Sequence, residues 1–298
     1  MTLKSRLKAA FKAFINPATI QKLEPSTPKP AVAPTPEPAV VMDNQLLAGK
    51  NVLITGAGRN IGRSIALEMA KQGANIFFTD IVPERCVSLE QELNAYPVHS
   101  QYFISDITNQ ENTDSLYKSL TEKKIVIDIL VNNVGINLGT KSLKEFKLEE
   151  WQKTFNINVF GPMYLTHLIA QMMVSHNIQG SILFITSIHQ WELGLWAHYS
   201  SSKAALGMIV KELAVELAPQ GIRVNAIAPG GVSEDEQGNP FRHKYTLLHN
   251  STINPRYIGR AAVYLASDYF SKFTTGTVIK MDGALSLYHY RVAQNRPH

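Results

Sequence analysis

The sequence predicts a doubly wound α/β fold, a parallel sheet of about seven strands with helices on both faces. Three observations predict it. Short β-rich apolar runs alternate with longer amphipathic segments from Asn51 onward, the first run leads directly into a glycine turn and a helix, and an aspartate closes the second run.

The apolar runs occupy residues 51–55, 75–79, 101–104, 127–131, 181–186, 223–226 and 277–281. Helical periodicity fills most gaps, over 61–72, 84–93, 113–120, 149–173, 197–217 and 255–266. Strand–helix alternation forces parallel pairing, because each helix carries the chain back across the sheet. Residues 46–298 therefore read as a single doubly wound domain, with no internal repeat.

Two segments precede that body. Leu3, Leu7, Ala10, Phe11, Phe14 and Ile15 recur at helical spacing, with Lys4, Arg6, Lys8 and Lys12 on the flanks and opposite side. Residues 1–24 thus read as a basic amphipathic helix, stopped by Pro17. Residues 25–45 carry Pro25, Pro28, Pro30, Pro34, Pro36 and Pro38 and read as an extended linker. Such a helix suits weak contact with an anionic membrane surface through residues 1–15, or organelle targeting, since the first 23 residues hold no acid.

Charge and composition exclude several classes. The net charge of +5 divides into +3 on residues 1–45 and +2 on the body, which has no basic excess for nucleic acid. No run of about 18 uncharged apolar residues suggests a membrane span. Cys86 is the single cysteine, which fits a reducing compartment such as the cytoplasm, and the nine histidines show no metal-ligand spacing.

The first strand runs into Thr55-Gly56-Ala57-Gly58-Arg59-Asn60-Ile61-Gly62 and then a helix. A strand–turn–helix of this kind brings backbone N–H groups and a helix N-terminus against a pyrophosphate. Asp80 ends the second strand 18 residues after Gly62. A carboxylate there accepts from ribose hydroxyls and repels a 2′-phosphate, so NAD(H) is expected over NADP(H). Arg59, in the turn, is the one contrary sign. This is a Rossmann-type arrangement.

Tyr199 and Lys203 stand one helical turn apart, on one face. A ketone receiving hydride needs a proton at its oxygen, and a tyrosine is a weak acid with a pKa of about 10. A neighbouring ammonium is expected to lower that value.

Taken in order, Thr55-Gly56-x-x-x-Asn60-x-Gly62, Asn132-Asn133-Val134-Gly135, Ser187, Tyr199-x-x-x-Lys203 and Pro229-Gly230 resemble the short-chain dehydrogenases/reductases over about residues 46–285. The resemblance implies an alcohol/ketone oxidoreductase and a homodimer or homotetramer. It implies Asn158, Ser187, Tyr199 and Lys203 as the catalytic set, with Asn158 bending a helix and holding a water that leads to the lysine. For the cofactor it implies Gly56, Gly58, Arg59, Asn60, Ile61, Gly62, Asp80, Asp106, Ile107, Asn133, Val134, Gly135, Tyr199, Lys203, Pro229, Gly230 and Val232. Asp106, before Ile107, is to meet the adenine, and 229–232 the nicotinamide. Two departures stand out. Asn60 replaces the usual middle glycine, which asparagine imitates by tolerating positive φ, and Glu234 stands where the family often has a threonine.

The substrate is less sharply written. Ser187-Ile188-His189 and His198-Tyr199 resemble the glucose-dehydrogenase branch, which implies a sugar or polyol. A 3-oxoacyl thioester reductase and a non-catalytic nucleotide-binding protein are the alternatives. His189, Trp191, Trp196 and His198 are expected to overhang the reactive centre, and residues 233–254 to form a polar lid.

Overall fold

Seven parallel strands form one sheet in the order β3-β2-β1-β4-β5-β6-β7 in the computed structural model, which describes residues 45–139, 143–235, 240–243 and 246–288. The readings made for residues 1–44 lie outside the described residues. The strands are β1 (Asn51–Thr55), β2 (Asn75–Asp80), β3 (Ser100–Ile104), β4 (Ile129–Asn132), β5 (Ser181–Ile185), β6 (Arg223–Pro229) and β7 (Val278–Met281). Helices α1 (Asn60–Lys71), α2 (Pro83–Leu93), α3 (Gln110–Glu122), α4 (Leu148–Phe155), α5 (Gly161–Ser175), α6 (Ala197–Leu217), α7 (Pro255–Ala266) and the short α8 (Asp268–Ser271) connect them.

The period-2 side-chain alternation divides each strand between two cores. Val52, Ile54, Ile76, Phe78 and Leu183 face one side, where Ile65 and Met69 of α1, Leu89 of α2 and Ile258 of α7 meet them. Leu53, Phe77, Leu130, Ile182 and Phe184 face the other, against Leu116 of α3, Leu165 and Ile169 of α5 and Leu206 and Val210 of α6. The chain order reverses where β1 pairs with both β2 and β4. A crevice therefore opens beyond the strand ends at that switch point.

Boundaries moved where pairing overrode local composition. The sixth strand extends from the expected 223–226 to Pro229 because Ala228 and Pro229 pair with Lys280 and Met281 of β7. The single helix expected over 149–173 is interrupted by a π-helical stretch at Asn156–Phe160. Pro162 explains the break: it lacks the N–H that would meet the Asn158 carbonyl in an α-helix. That widened turn carries Asn158 inward, fully buried.

Candidate active site

The glycine turn is fastened from below by β4. Thr55 Oγ1 accepts from the backbone N–H of Asn133 at 3.1 Å and of Val134 at 3.3 Å. The Asn133 amide returns two bonds, to the carbonyls of Thr55 and Gly56, both at 3.0 Å. Gly62 sits where these meet. A Cβ there would strike the Gly56 carbonyl and come 2.6 Å from Asn133 Nδ2. Asn60 adopts φ +47°, the left-handed conformation that its departure from glycine required. The N-cap of α1, Arg59, is exposed and makes no side-chain cap to the first turn of the helix.

Asp80 is more occupied than the sequence indicates. Its Oδ2 accepts from Gly58 N at 2.9 Å and its Oδ1 from Val82 N at 3.0 Å, with Arg85 Nη1 at 3.9 Å. The carboxylate thus braces the glycine turn while retaining acceptor capacity, since two oxygens offer about four lone-pair sites. Arg85, in the first turn of α2, escaped the sequence reading; its place five residues after Asp80 was the only signal. One strand further out, Asp106 is exposed and takes both the N–H and hydroxyl of Thr108 on Oδ1, at 3.0 and 2.8 Å. The side chain of Ile107 is buried in the core with Leu53 and Phe77. The reason is that β3 ends at Ile104 and the chain turns inward to start α3.

Ser187, Tyr199 and Lys203 meet at one cavity of about 240 Å³, walled by Gly135 and Ile136 beyond β4, by Pro229 at the end of β6 and by Gly230 and Val232 beyond it. Ile61, from the first turn of α1, lines the end nearest the glycine turn. Ser187 lies two residues past β5 rather than at its end, as the N-cap of a short 3-10 turn, and its Oγ accepts from His189 N at 3.2 Å. Glycine at 135 makes room for the lysine, because a Cβ there would stand 2.9 Å from Lys203 Nζ.

Asn158 holds the back of this cavity. Its Oδ1 accepts from Ile136 N at 2.8 Å, and its Nδ2 donates to Ile136 O at 3.0 Å and to Ser202 Oγ at 2.9 Å. Ser202 in turn donates to the Tyr199 carbonyl at 2.7 Å. Ser202 was missed from sequence, since only the fold brings it against Asn158. Asn156, two residues earlier, faces Thr108 instead.

The electrostatics correct one expectation. The Tyr199 phenol is held above its ordinary value, not below it, chiefly by burial, with hydrogen bonding to Ser187 pulling the other way. Lys203 does not offset this burial. It is 3% exposed, and burial lowers its own pKa to about 8. Its Nζ donates to the Ile185 carbonyl at 3.0 Å and stands 5.8 Å from the Tyr199 ring centroid. The ammonium is turned toward a carbonyl rather than toward the phenol.

The overhang is built otherwise. His189 packs edge-on to Trp196 and Tyr199, and His198 is buried beside Trp151 of α4. The lid is less polar than its composition suggested, for Phe241 and Leu248 are exposed. A cavity of about 1050 Å³ lies behind it, between 240–257 and 280–284. Glu234 does not face the reactive cavity; its Oε2 accepts from Asn254 at 3.0 Å, next to the start of α7. Among the described residues no helix is long and apolar enough to cross a membrane.

Comparison with known proteins agrees with this geometry. A family model described as short chain dehydrogenase matches residues 50–244. A 3-oxoacyl-(acyl-carrier-protein) reductase of Thermotoga maritima is 31% identical, over 80% of this chain and 98% of its own length. A glucose 1-dehydrogenase of Gluconobacter oxydans is 30% identical, over 81% and 93%. A crystal structure of a short-chain type dehydrogenase/reductase from Mycobacterium marinum superposes with a TM-score of 0.75 at 28% identity, covering 83% of this chain and 98% of that one.

Proposed function

The chain belongs to the short-chain dehydrogenase family, and from that premise we propose an NAD(H)-preferring oxidoreductase that interconverts a polyhydroxylated secondary alcohol, a sugar or polyol, with its carbonyl form. The observation that carries this reading is the meeting of Ser187, Tyr199 and Lys203 at one cavity beside the glycine turn.

The residues fit a dinucleotide. Gly62 lacks the side chain that would fill the turn, α1 begins without a side-chain cap, and Asp80 stands at the end of β2 with acceptor sites to spare. In this reading Gly56 through Gly62 hold the pyrophosphate and Asp80 the adenosine ribose. Asp106 approaches the adenine edge, and Asn133, Val134, Gly135, Pro229, Gly230 and Val232 frame the nicotinamide half. When bound, the nicotinamide supplies or removes hydride at the carbinol carbon.

Each protein group then has one task. Tyr199, held protonated by burial, gives its phenolic proton to the substrate oxygen during reduction. Ser187 accepts from His189 N and bonds the Tyr199 phenol, and its O–H turns to donate to that oxygen as charge develops. Lys203 places a cation near Tyr199 and is available to the nicotinamide ribose. Asn158 and Ser202 fix the Ile136 backbone and the first turn of α6, which aims the phenol.

Two further parts of the proposal concern surfaces. Phe160, Met208 and Val215, on the π turn and on α6, are 60%, 56% and 77% exposed, which supports a homodimer or homotetramer built on these helices. Residues 1–15 are proposed to rest weakly on anionic membrane. Full-length protein should then co-sediment with anionic vesicles at low salt, and protein lacking residues 1–45 should not.

The decisive experiment is a turnover panel with NADH and NADPH against sugars, polyols, steroids and β-keto thioesters. Turnover of sugars or polyols with NADH is expected. Activity confined to β-keto thioesters would move the chain to the reductase reading, and nucleotide binding without any turnover would leave only a nucleotide-binding role.

A further inference from the structure

Gln190 lies half-buried at the end of the 3-10 turn that Ser187 opens. Its Nε2 donates to Thr186 Oγ1 at 3.0 Å, and its backbone N–H donates to the Ser187 carbonyl at 3.1 Å. Thr186 lines the reactive cavity and is itself tied to β6. Its N–H and its hydroxyl both donate to the Ile227 carbonyl, at 2.8 and 3.1 Å. Gln190 therefore grips the chain immediately before Ser187 and again at the Ser187 carbonyl.

The other end of the amide reaches α6. Gly207 lies in the interior of that helix, where glycine weakens the helix. A Cβ there would strike Gln190 Oε1 and come 3.3 Å from its Cδ, and among the described residues it would meet nothing else outside its own helix. The space left by the glycine is thus filled by one side chain. Thr186 sets the amide's orientation. Its hydroxyl hydrogen is spent on Ile227, so its oxygen accepts, the amide nitrogen faces it, and Oε1 turns to Gly207. Gly207 stands four residues after Lys203, on the same helix face. One side chain thus spans from the end of β5 to the helix that carries Tyr199 and Lys203.

We propose that Gln190 is a positioning residue, which latches the turn bearing Ser187 to the sheet through Thr186 and to α6 through Gly207, and so fixes the serine hydroxyl against Tyr199. Gln190 does not line the cavity and acts through Thr186, which does. This rests on the alcohol/ketone reading above, in which Ser187 donates to the substrate oxygen, and adds the part that holds that donor in place.

The test uses the full-length protein with the substrate of the panel above that the parent turns over fastest, and NADH binding as the control. Gln190→Met keeps the length of the side chain and removes the donor to Thr186. It should lower kcat by at least about tenfold and leave the NADH dissociation constant within about twofold, because the glycine turn is untouched. In a Ser187→Ala background the same substitution should cost less than about twofold more, since both changes act through one hydroxyl. Gly207→Ala gives a second route. Its methyl favours the helix in itself but evicts the amide, so kcat should fall as in Gln190→Met, with no further loss when the two are combined. Full turnover in either single variant would overturn the Gln190 assignment alone. So would a loss that multiplies with that of Ser187→Ala, or NADH binding that weakens alongside turnover. A parent that turns over no member of the panel would overturn it together with the alcohol/ketone reading.

Discussion

Two regions face each other across the reactive cavity, and they are built in opposite ways. On the cofactor side, Thr55, Asn133, Asn158 and Ser202 tie turn, strand and helix together through hydrogen bonds of 2.7–3.3 Å. On the substrate side, 188–196 exposes Leu193 and Leu195, and the described parts of the lid are joined by isolated bridges such as Val232 to Ile253 and Arg242 to Ser251. The difference follows from the task. A dinucleotide and a transferred proton demand one geometry, which buried, fully paired polar groups hold. Choice of alcohol demands a replaceable surface, which loops provide.

The largest effect should come from the rigid side. Tyr199→Phe keeps the ring and its packing on His189 but removes the proton, so turnover should fall by at least about 100-fold while NADH binding survives. Normal turnover in steady-state assays would require another donor and would end the distinction drawn here. Gly62→Ala should act earlier in the cycle. The new methyl meets the Gly56 carbonyl and Asn133 Nδ2, neither of which has a flexible end to withdraw. NADH affinity measured by fluorescence titration should drop by at least about tenfold, and unchanged affinity would show that the turn is not the nucleotide cradle.

The same contrast decides how much was legible in the sequence. The rigid side was readable because its chemistry restricts residue type: glycine where backbone must approach, asparagine at φ +47° in place of glycine, tyrosine and lysine one turn apart. Both cores were readable from strand–helix alternation. What escaped depends on contacts between distant segments. Ser202 matters only because the π turn at Pro162 swings Asn158 toward it, and Arg85 because α2 folds back over Asp80. The burial of the Ile107 side chain escaped too, because its position after the third strand says nothing of the inward turn there. The phenol's upward shift was invisible for the same reason, as burial and the Ile185 carbonyl are tertiary facts.

Lys203 carries a testable consequence of that burial. Its folded-state pKa is about 8, below the 10.5 of a free lysine, so the unfolded chain binds more protons between those values. Stability contributed at this site therefore rises with pH from about 8 toward 10.5, and the penalty is fully present below 8. Lys203→Met keeps the stem and removes the charge. Without nucleotide, the variant should be more stable than the parent at pH 7 by about 2 kcal/mol, allowing for the lost bond to Ile185. Urea midpoints should show the gap closing by pH 10. A variant less stable at pH 7, by an amount independent of pH, would mean that the buried ammonium stabilises the fold.

The smallest effect sharpens the comparison most, because Asp80 belongs to the rigid side yet is proposed to discriminate between ligands. NADH should bind the parent at least about tenfold tighter than NADPH, equivalent to roughly 1.4 kcal/mol. Asp80→Ala should narrow that ratio, since it removes the carboxylate that would oppose a 2′-phosphate and leaves Arg59 and Arg85 nearby. The substitution also deletes the acceptor for Gly58 N and Val82 N, so both nucleotides are expected to weaken somewhat. The two roles separate in the readout. Damage to the turn moves both dissociation constants together and leaves their ratio fixed, whereas lost discrimination changes the ratio itself. A parent protein that binds both nucleotides equally, or a variant whose ratio is unchanged, would reduce Asp80 to a brace for the turn and return cofactor choice to the arginines.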